Sequence, residues 1–285
     1  MAGEPRLHHV LCAAASGLHR VAYAEWGDAA NPQVLVCVHG LTRTRRDFDA
    51  LARALSDRYR VVCPDMPGRG ASDPLAQPSE YQLPTYVADM VTLIARLDVE
   101  RVDWVGTSMG ALIGMALASL ERTPVRRLVL NEGGPLVAKA SLERISTYVG
   151  KAPQFADFAA LETYVRRVSA PFGPHSDAQW ATLARNVARQ RADGGWELAY
   201  DPAIAVPFNA VQPHQDLDLW ALYDRITAPT LVIRGAESDL LTADTVAAMR
   251  TRGPRARAVE WPGIGHAPTL MHAEQIAAVR EFLAG

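Results

Sequence analysis

The sequence predicts an α/β protein: a mostly parallel central sheet, helices on both faces and a helical insertion. Three observations carry this. Short, continuous apolar runs alternate with segments whose apolar residues recur at helical spacing, the pattern of doubly buried strands joined by helices. The alternation breaks once, between about residues 135 and 225, a stretch too long for a loop. It resumes after 226 with two further strands and a terminal helix. The chain of 285 residues thus divides into a core, 1–134 with 226–285, and an insertion, 135–225.

Each element has its own signal. VLCAAA (10–15) and LHRVAYAEWG (18–27), flanking Ser16-Gly17, read as the arms of a hairpin. VLVCVHG (34–40) is a buried strand. RTRRDFDALARALSD (43–57) follows as a helix, with Phe48, Leu51, Ala52 and Leu55 on one face. YRVVCPDM (59–66) is the next strand and runs into the Pro/Gly loop PGRGASD. PTYVADMVTLIARLD (84–98) reads as a helix, RVDWVGTSMG (101–110) as strand and turn, and ALIGMALASLER (111–122) as a helix. RRLVLNEGG (126–134) is a strand. The insertion reads as mainly helical and carries Phe155, Phe158, Tyr164, Phe172, Trp180 and Trp196. APTLVIRGAESD (228–239) and ARAVEWPGIGHA (256–267) are strands, and AEQIAAVREFL (273–283) is an amphipathic helix. No internal repeat or low-complexity segment interrupts the pattern.

Bulk properties exclude several function classes. Composition is that of a globular protein, 49% hydrophobic and 21% charged. A formal net charge of −2 argues against a nucleic-acid surface or a polybasic membrane patch. No apolar run approaches the roughly 18 residues of a membrane span. Cys12, Cys37 and Cys63 lack zinc-ligand or redox spacing. Cys37 and Cys63 lie in strand-like runs, where a free cysteine acts as a small hydrophobe. An odd cysteine count without close pairs, and an N-terminus without a secretion signal, lead to the expectation of a cytoplasmic protein.

The chemistry centres on Ser108 in VGTSMG (105–110). Small residues suit any tight turn, but here a buried strand runs straight into a helix with G-x-S-x-G at the junction, the context of a nucleophile elbow. The helix N-terminus beside the serine favours developing negative charge. A serine needs a base and an orienting acid, and the elbow order is serine, acid, histidine. Of the four later histidines, His175 and His214 fall in the insertion, and His272 opens the last helix. His266 lies in PGIGHAP, directly after the last strand and at the sheet edge where ligand chemistry sits. Glu132, Glu237 and Asp239 compete for the acid role. Asp239 is expected to fill it, because the strand LVIRG should end near Gly235 and leave Asp239 free to turn toward His266; Glu132 is second. Two oxyanion donors are expected: the N–H of Met109, after the serine, and that of Leu41 in VHGLTR (38–43). His39 reads as a structural histidine bonded to backbone. GTSMGALIG lacks the lysine of a phosphate loop, so nucleotide binding is not indicated.

With these residues in order, the chain resembles the α/β-hydrolase superfamily, in its bacterial single-chain form with a helical cap. VHGL (38–41), DMPGRGASD (65–73), VGTSMG (105–110), GAESD (235–239) and GIGHAPT (263–269) carry the resemblance across nearly the whole core. It implies Ser108, Asp239 and His266 as a triad, Leu41 and Met109 as the oxyanion hole, and no metal or organic cofactor. Dehalogenases and epoxide hydrolases of this fold use an aspartate nucleophile, which Ser108 argues against. VHGLTRTRRDFDALA and NEGGP also look like a group of bacterial hydrolases in which N-D-x-G-P is expected; here Glu132 replaces the aspartate.

The leading function is a serine esterase cleaving a small to medium carboxylic ester. The alternatives are a carbon–carbon bond hydrolase of a dienoic keto acid, a thioesterase, lactonase or perhydrolase, and a non-catalytic receptor of the same fold. Arg43, Arg45 and Arg46 follow the oxyanion loop. Arg43 or Arg45 would hold a substrate carboxylate, as in hydroxyacid oligomers, or else the run is a solvated helix start balanced by Asp47 and Asp49. The aromatic residues of the insertion either line an apolar pocket or form that segment's own core.

Overall fold

A computed structural model describes residues 3–210 and 215–285, so His214 lies outside the described residues. Along the chain come β1 (Arg6–Ala14), β2 (Gly17–Trp26), β3 (Val34–Val38), α1 (Asp49–Leu55), β4 (Arg60–Pro64), α2 (Leu83–Arg96), β5 (Val102–Thr107), α3 (Met109–Ala118) and β6 (Val125–Asn131). After the inserted segment follow β12 (Thr230–Gly235), α9 (Ala243–Met249), β13 (Arg257–Trp261) and α10 (Ala273–Ala284). Eight strands form one sheet in the order β1-β2-β4-β3-β5-β6-β12-β13. The β1–β2 and β2–β4 pairings are antiparallel and the remaining ones parallel. The architecture is the one the motifs imply, a mostly parallel sheet. No helix among the described residues is long and apolar enough to cross a membrane.

The unbroken apolar runs have a direct cause, since both faces of the sheet are covered. Val34, Val36, Val38, Trp104, Leu128 and Leu130 face one layer with Met90 and Leu93 of α2 and Ile113 and Leu117 of α3. The alternate residues Leu35, Cys37, Val105, Val129 and Ile233 face Leu51 and Leu55 of α1 and Val279 and Phe282 of α10. All three cysteines are buried and free. Burial pushes the Cys12 thiol up to about 12, which leaves it inert.

Between β6 and β12 lie α4 (Lys139–Ser146), α5 (Phe158–Val168), α6 (Asp177–Val187), α7 (Ala205–Ala210) and α8 (Trp220–Tyr223). Among the described residues they are accompanied by five short strands, β7 (Leu136–Val137), β8 (Gln154–Phe155), β9 (Ala188–Gln190), β10 (Trp196–Leu198) and β11 (Leu217–Asp218). The expectation of a mainly helical segment missed these strands. Two or three residues are too few to show a period-two pattern. Leu217 pairs with Val137 and Asp218 with Leu136, so β7 and β11 tie the two ends of the segment together.

The strand order fixes where chemistry can happen. The chain leaves β3 for β4 on one side and returns to β5 on the other. The carboxyl ends of β3 and β5 therefore border the crevice at a topological switch point. His39, just past β3, holds this edge. It is fully buried; its Nδ1–H donates to the Gly40 carbonyl at 2.7 Å and its Nε2 accepts the Met66 N–H at 2.9 Å. Burial holds the imidazole at about 3, far below its ordinary range. The unfolded chain binds this proton near pH 6.5, so the neutral imidazole contributes its full stability above about pH 6.5. That stability is lost as pH falls toward 3, with a slope of about 1.4 kcal/mol per pH unit. His39→Gln keeps a donor and an acceptor but does not titrate. Its urea midpoint should fall less steeply than that of wild type between pH 6.5 and 4.5. Parallel pH profiles would remove His39 from the acid response.

Candidate active site

The turn at Ser108 is built by exclusion. A side chain on Gly106 would overlap the Gly110 carbonyl, and one on Gly110 would overlap the Val38 carbonyl. Only glycine at both positions lets α3 start this close to β3 and β5. Ser108 takes φ 53° and ψ −112°, a backbone region that a non-glycine residue holds only when its surroundings enforce it. Its N–H donates to the Asn131 carbonyl at 2.9 Å, which extends the β5–β6 ladder, and its carbonyl accepts the Ala111 N–H at 2.9 Å. The hydroxyl makes no capping bond to α3, so this N-terminal serine does not serve as a helix cap.

His266 lies in the loop after β13, and that loop is pinned to the strand ends. The Asn131 side-chain amide donates to the Pro268 carbonyl at 2.9 Å and to Thr107 Oγ1 at 3.0 Å. The His266 Nδ1–H donates to Glu132 Oε2 at 3.1 Å. Glu132 is fully buried, at φ 53° one residue past β6. Its N–H donates to the Ile233 carbonyl at 2.9 Å. Its Oε1 accepts the Gly235 N–H at 2.6 Å and its Oε2 the Ser238 hydroxyl at 2.5 Å. This carboxylate is thus held from three directions, with His266 as the third donor.

Asp239 does not stand where the sequence reading put it. The chain turns after β12 through a Ser238 N–H to Gly235 carbonyl bond of 2.9 Å. Ser238 faces inward, while Asp239 is 56% exposed and bound side-on by Arg144 at 2.7 and 2.9 Å. Glu132, the second candidate, occupies the place beside His266. The sequence held a signal for it: residue 132 directly follows a strand end and precedes Gly133-Gly134. Glu237 is exposed, its N–H donating to the Ile264 carbonyl at 2.9 Å.

Met109 opens α3, where the first N–H groups have no acceptor within the helix. The facing loop is held by Arg69, which is 1% exposed. Arg69 donates to the Leu41 carbonyl at 2.9 Å, the Pro67 carbonyl at 2.7 Å and the Tyr86 hydroxyl at 2.9 Å. It also reaches Met109 Sδ at 3.7 Å. One buried guanidinium therefore touches both residues expected to supply oxyanion donors. In the sequence Arg69 sits in the loop DMPGRGASD, where no local pattern marks this role.

These groups open into a cavity of about 860 Å³, lined by Leu41, Ser108, Met109, Glu132 and His266 among many apolar residues. The aromatics of the inserted segment divide. Tyr164 and Phe172 line the cavity. Phe155, Phe158 and Trp196 pack with Leu161 and Val187 in the segment's own core. The arginines divide too. Arg43 lines the cavity with Asp47. Arg45 turns away: its guanidinium pairs with buried Asp65, and its N–H donates to the same carboxylate at 2.7 Å. Asp65 needs that partner because burial raises its pKa, and the Ala71 N–H satisfies it further at 2.9 Å. Arg46 is exposed and pairs with Asp49. His175 donates or accepts at Thr269 Oγ1 at 3.0 Å, joining the inserted segment to the loop of His266.

Comparison with known proteins agrees with this fold. A family model described as alpha/beta hydrolase fold matches residues 33–273. The 3-hydroxybutyrate-oligomer hydrolase of Cupriavidus necator is 51% identical over 292 aligned residues, covering 100% of both chains. The 2-(acetamidomethylene)succinate hydrolase of Mesorhizobium japonicum is 28% identical over 235 residues, 82% of this chain and 81% of its own. A solved alpha/beta hydrolase from Novosphingobium aromaticivorans superposes with a TM-score of 0.88 at 37% identity, covering 99% of each chain.

Proposed function

The chain belongs to the alpha/beta-hydrolase family, and from that premise we propose that it is a serine esterase acting on short hydroxyacid oligomers, with 3-hydroxybutyrate oligomers foremost. The observation that carries this reading is the Glu132–His266 pair at 3.1 Å, sharing one cavity with Ser108. The full-length 51% identity to the oligomer hydrolase supports the substrate class.

In this reading Ser108 Oγ adds to the ester carbonyl carbon while its proton passes to His266 Nε2. The oxyanion takes hydrogen bonds from the Leu41 and Met109 N–H groups, which cost no reorganisation because the backbone already holds them. Collapse breaks the ester C–O bond, and His266 returns the proton to the departing alkoxide. Water then attacks the acyl-enzyme by the same steps and releases the acid. Glu132 accepts the Nδ1–H, fixes the tautomer and stabilises the imidazolium; the bonds from Gly235 and Ser238 hold it in place. Residues 135–225 act as a cap that excludes water, joined to the core by contacts such as Arg144–Asp239.

The test uses the purified chain with the 3-hydroxybutyrate trimer and with p-nitrophenyl butyrate. Both should be turned over, the trimer giving dimer and monomer. A folded protein that hydrolyses neither would end the esterase reading and favour carbon–carbon bond cleavage or ligand binding without catalysis.

A further inference from the structure

We propose that Arg43 and Asp47 form a carboxylate subsite beside Ser108, through which the enzyme cuts hydroxyacid oligomers at the carboxyl end, one monomer at a time. This rests on the esterase reading above. The first observation is position. A methyl group placed on Gly40 would stand 3.7 Å from both Ser108 Cβ and Arg43 Cγ. The arginine stem and the Ser108 side chain therefore flank the same glycine of the loop after β3.

The second observation is burial. Pairs at i,i+4 usually lie in solvent and contribute little. The Arg43 and Asp47 side chains are only 12% and 21% exposed, and both line the cavity. Desolvation strengthens what such a guanidinium does to an anion.

The third observation is orientation. Asp47 takes Nε and one terminal nitrogen of Arg43, each at 2.7 Å. The Phe172 ring lies 5.6 Å from the guanidinium carbon. A guanidinium has five N–H donors in a rigid fork, so the edge bearing Nη1 still has donors when Asp47 is bound. The group is fixed before any ligand arrives, and less freedom is lost on binding. Arg144, the other arginine on the cavity wall among the described residues, is 43% exposed and engaged side-on by Asp239.

The substrate chemistry fits this corner. In a 3-hydroxyacid oligomer the free carboxylate lies on the alcohol side of the last ester, about four bonds from its carbonyl carbon. A cation on the same cavity wall as Ser108 is placed to meet it when that last ester is at the serine. Interior esters present no charge at that distance. Asp47 lowers the net charge of the subsite, so the selectivity expected is moderate, about tenfold in kcat/KM and mainly in KM.

The experiment compares the 3-hydroxybutyrate trimer with its methyl ester, both isotopically labelled in the carboxyl-terminal unit, with products read by mass spectrometry at low conversion. Wild type should prefer the free acid about tenfold and release the label first as monomer. In the Arg43→Gln/Asp47→Asn double variant, which leaves no lone buried charge, the acid-over-ester preference should fall to near unity. Arg43→Lys, with a point charge but no fork, should retain part of it. Equal use of acid and ester by wild type, or label appearing first in dimer, overturns the subsite while the esterase reading stands. A folded wild type that cleaves p-nitrophenyl butyrate but neither trimer ends the hydroxyacid reading and the subsite with it.

Discussion

Replacing Ser108 by alanine is expected to lower kcat for ester hydrolysis about 10⁴-fold or more and to leave the thermal midpoint within a few degrees of wild type. Both halves follow from the turn. Ser108 adopts its strained φ of 53° through the Gly106 and Gly110 contacts and the Ser108–Asn131 ladder bond, none of which involves the hydroxyl. A serine at a helix start ordinarily spends its oxygen on capping, and its removal costs about 1 kcal/mol. Here no such bond exists, so alanine removes chemistry without removing support. Steady-state kinetics on p-nitrophenyl butyrate, with a thermal melt of the same sample, checks both. A variant keeping a tenth of wild-type turnover would assign the nucleophile elsewhere.

The second large effect separates two carboxylates. Glu132→Gln should reduce kcat by about 10³–10⁴-fold, the scale seen when the acid of such a triad loses its charge. Asp239→Asn should stay within about threefold, because it loses only a half-exposed ion pair with Arg144 at the cavity rim. Glutamine retains an oxygen for the Gly235 N–H but holds no charge against an imidazolium. Glu132→Asp keeps the charge on a shorter stem, so activity intermediate between wild type and Glu132→Gln is expected. Glu132 also anchors the turn through Gly235 and Ser238, so its variants should lose some stability as well. Melting curves separate that loss from the catalytic one. If Asp239→Asn proves the damaging change and Glu132→Gln the mild one, the acid is the residue that the sequence reading favoured.

The sequence by itself determined what depends on neighbours along the chain. Apolar runs marked the strands of the main sheet because both of its faces are covered, and G-x-S-x-G marked the elbow because only small residues fit between β5 and α3. The position of His266 after the last strand was legible for the same reason: a loop at a strand end is a local fact. What faces what was decided by tertiary structure alone. Glu132 and His266 are 134 residues apart and meet because β6 pairs with β12, which places the end of β6 under the loop after β13. Strand length favours Asp239, but after the turn at Ser238 its carboxylate pairs with Arg144 instead. Arg43 and Arg45 look alike in the sequence, yet one borders the cavity and the other closes on buried Asp65. A side chain's direction after a turn, and its choice of a charged partner, follow from strand order and from the cost of leaving a buried carboxylate unpaired. Neither is written in the spacing of the residues themselves.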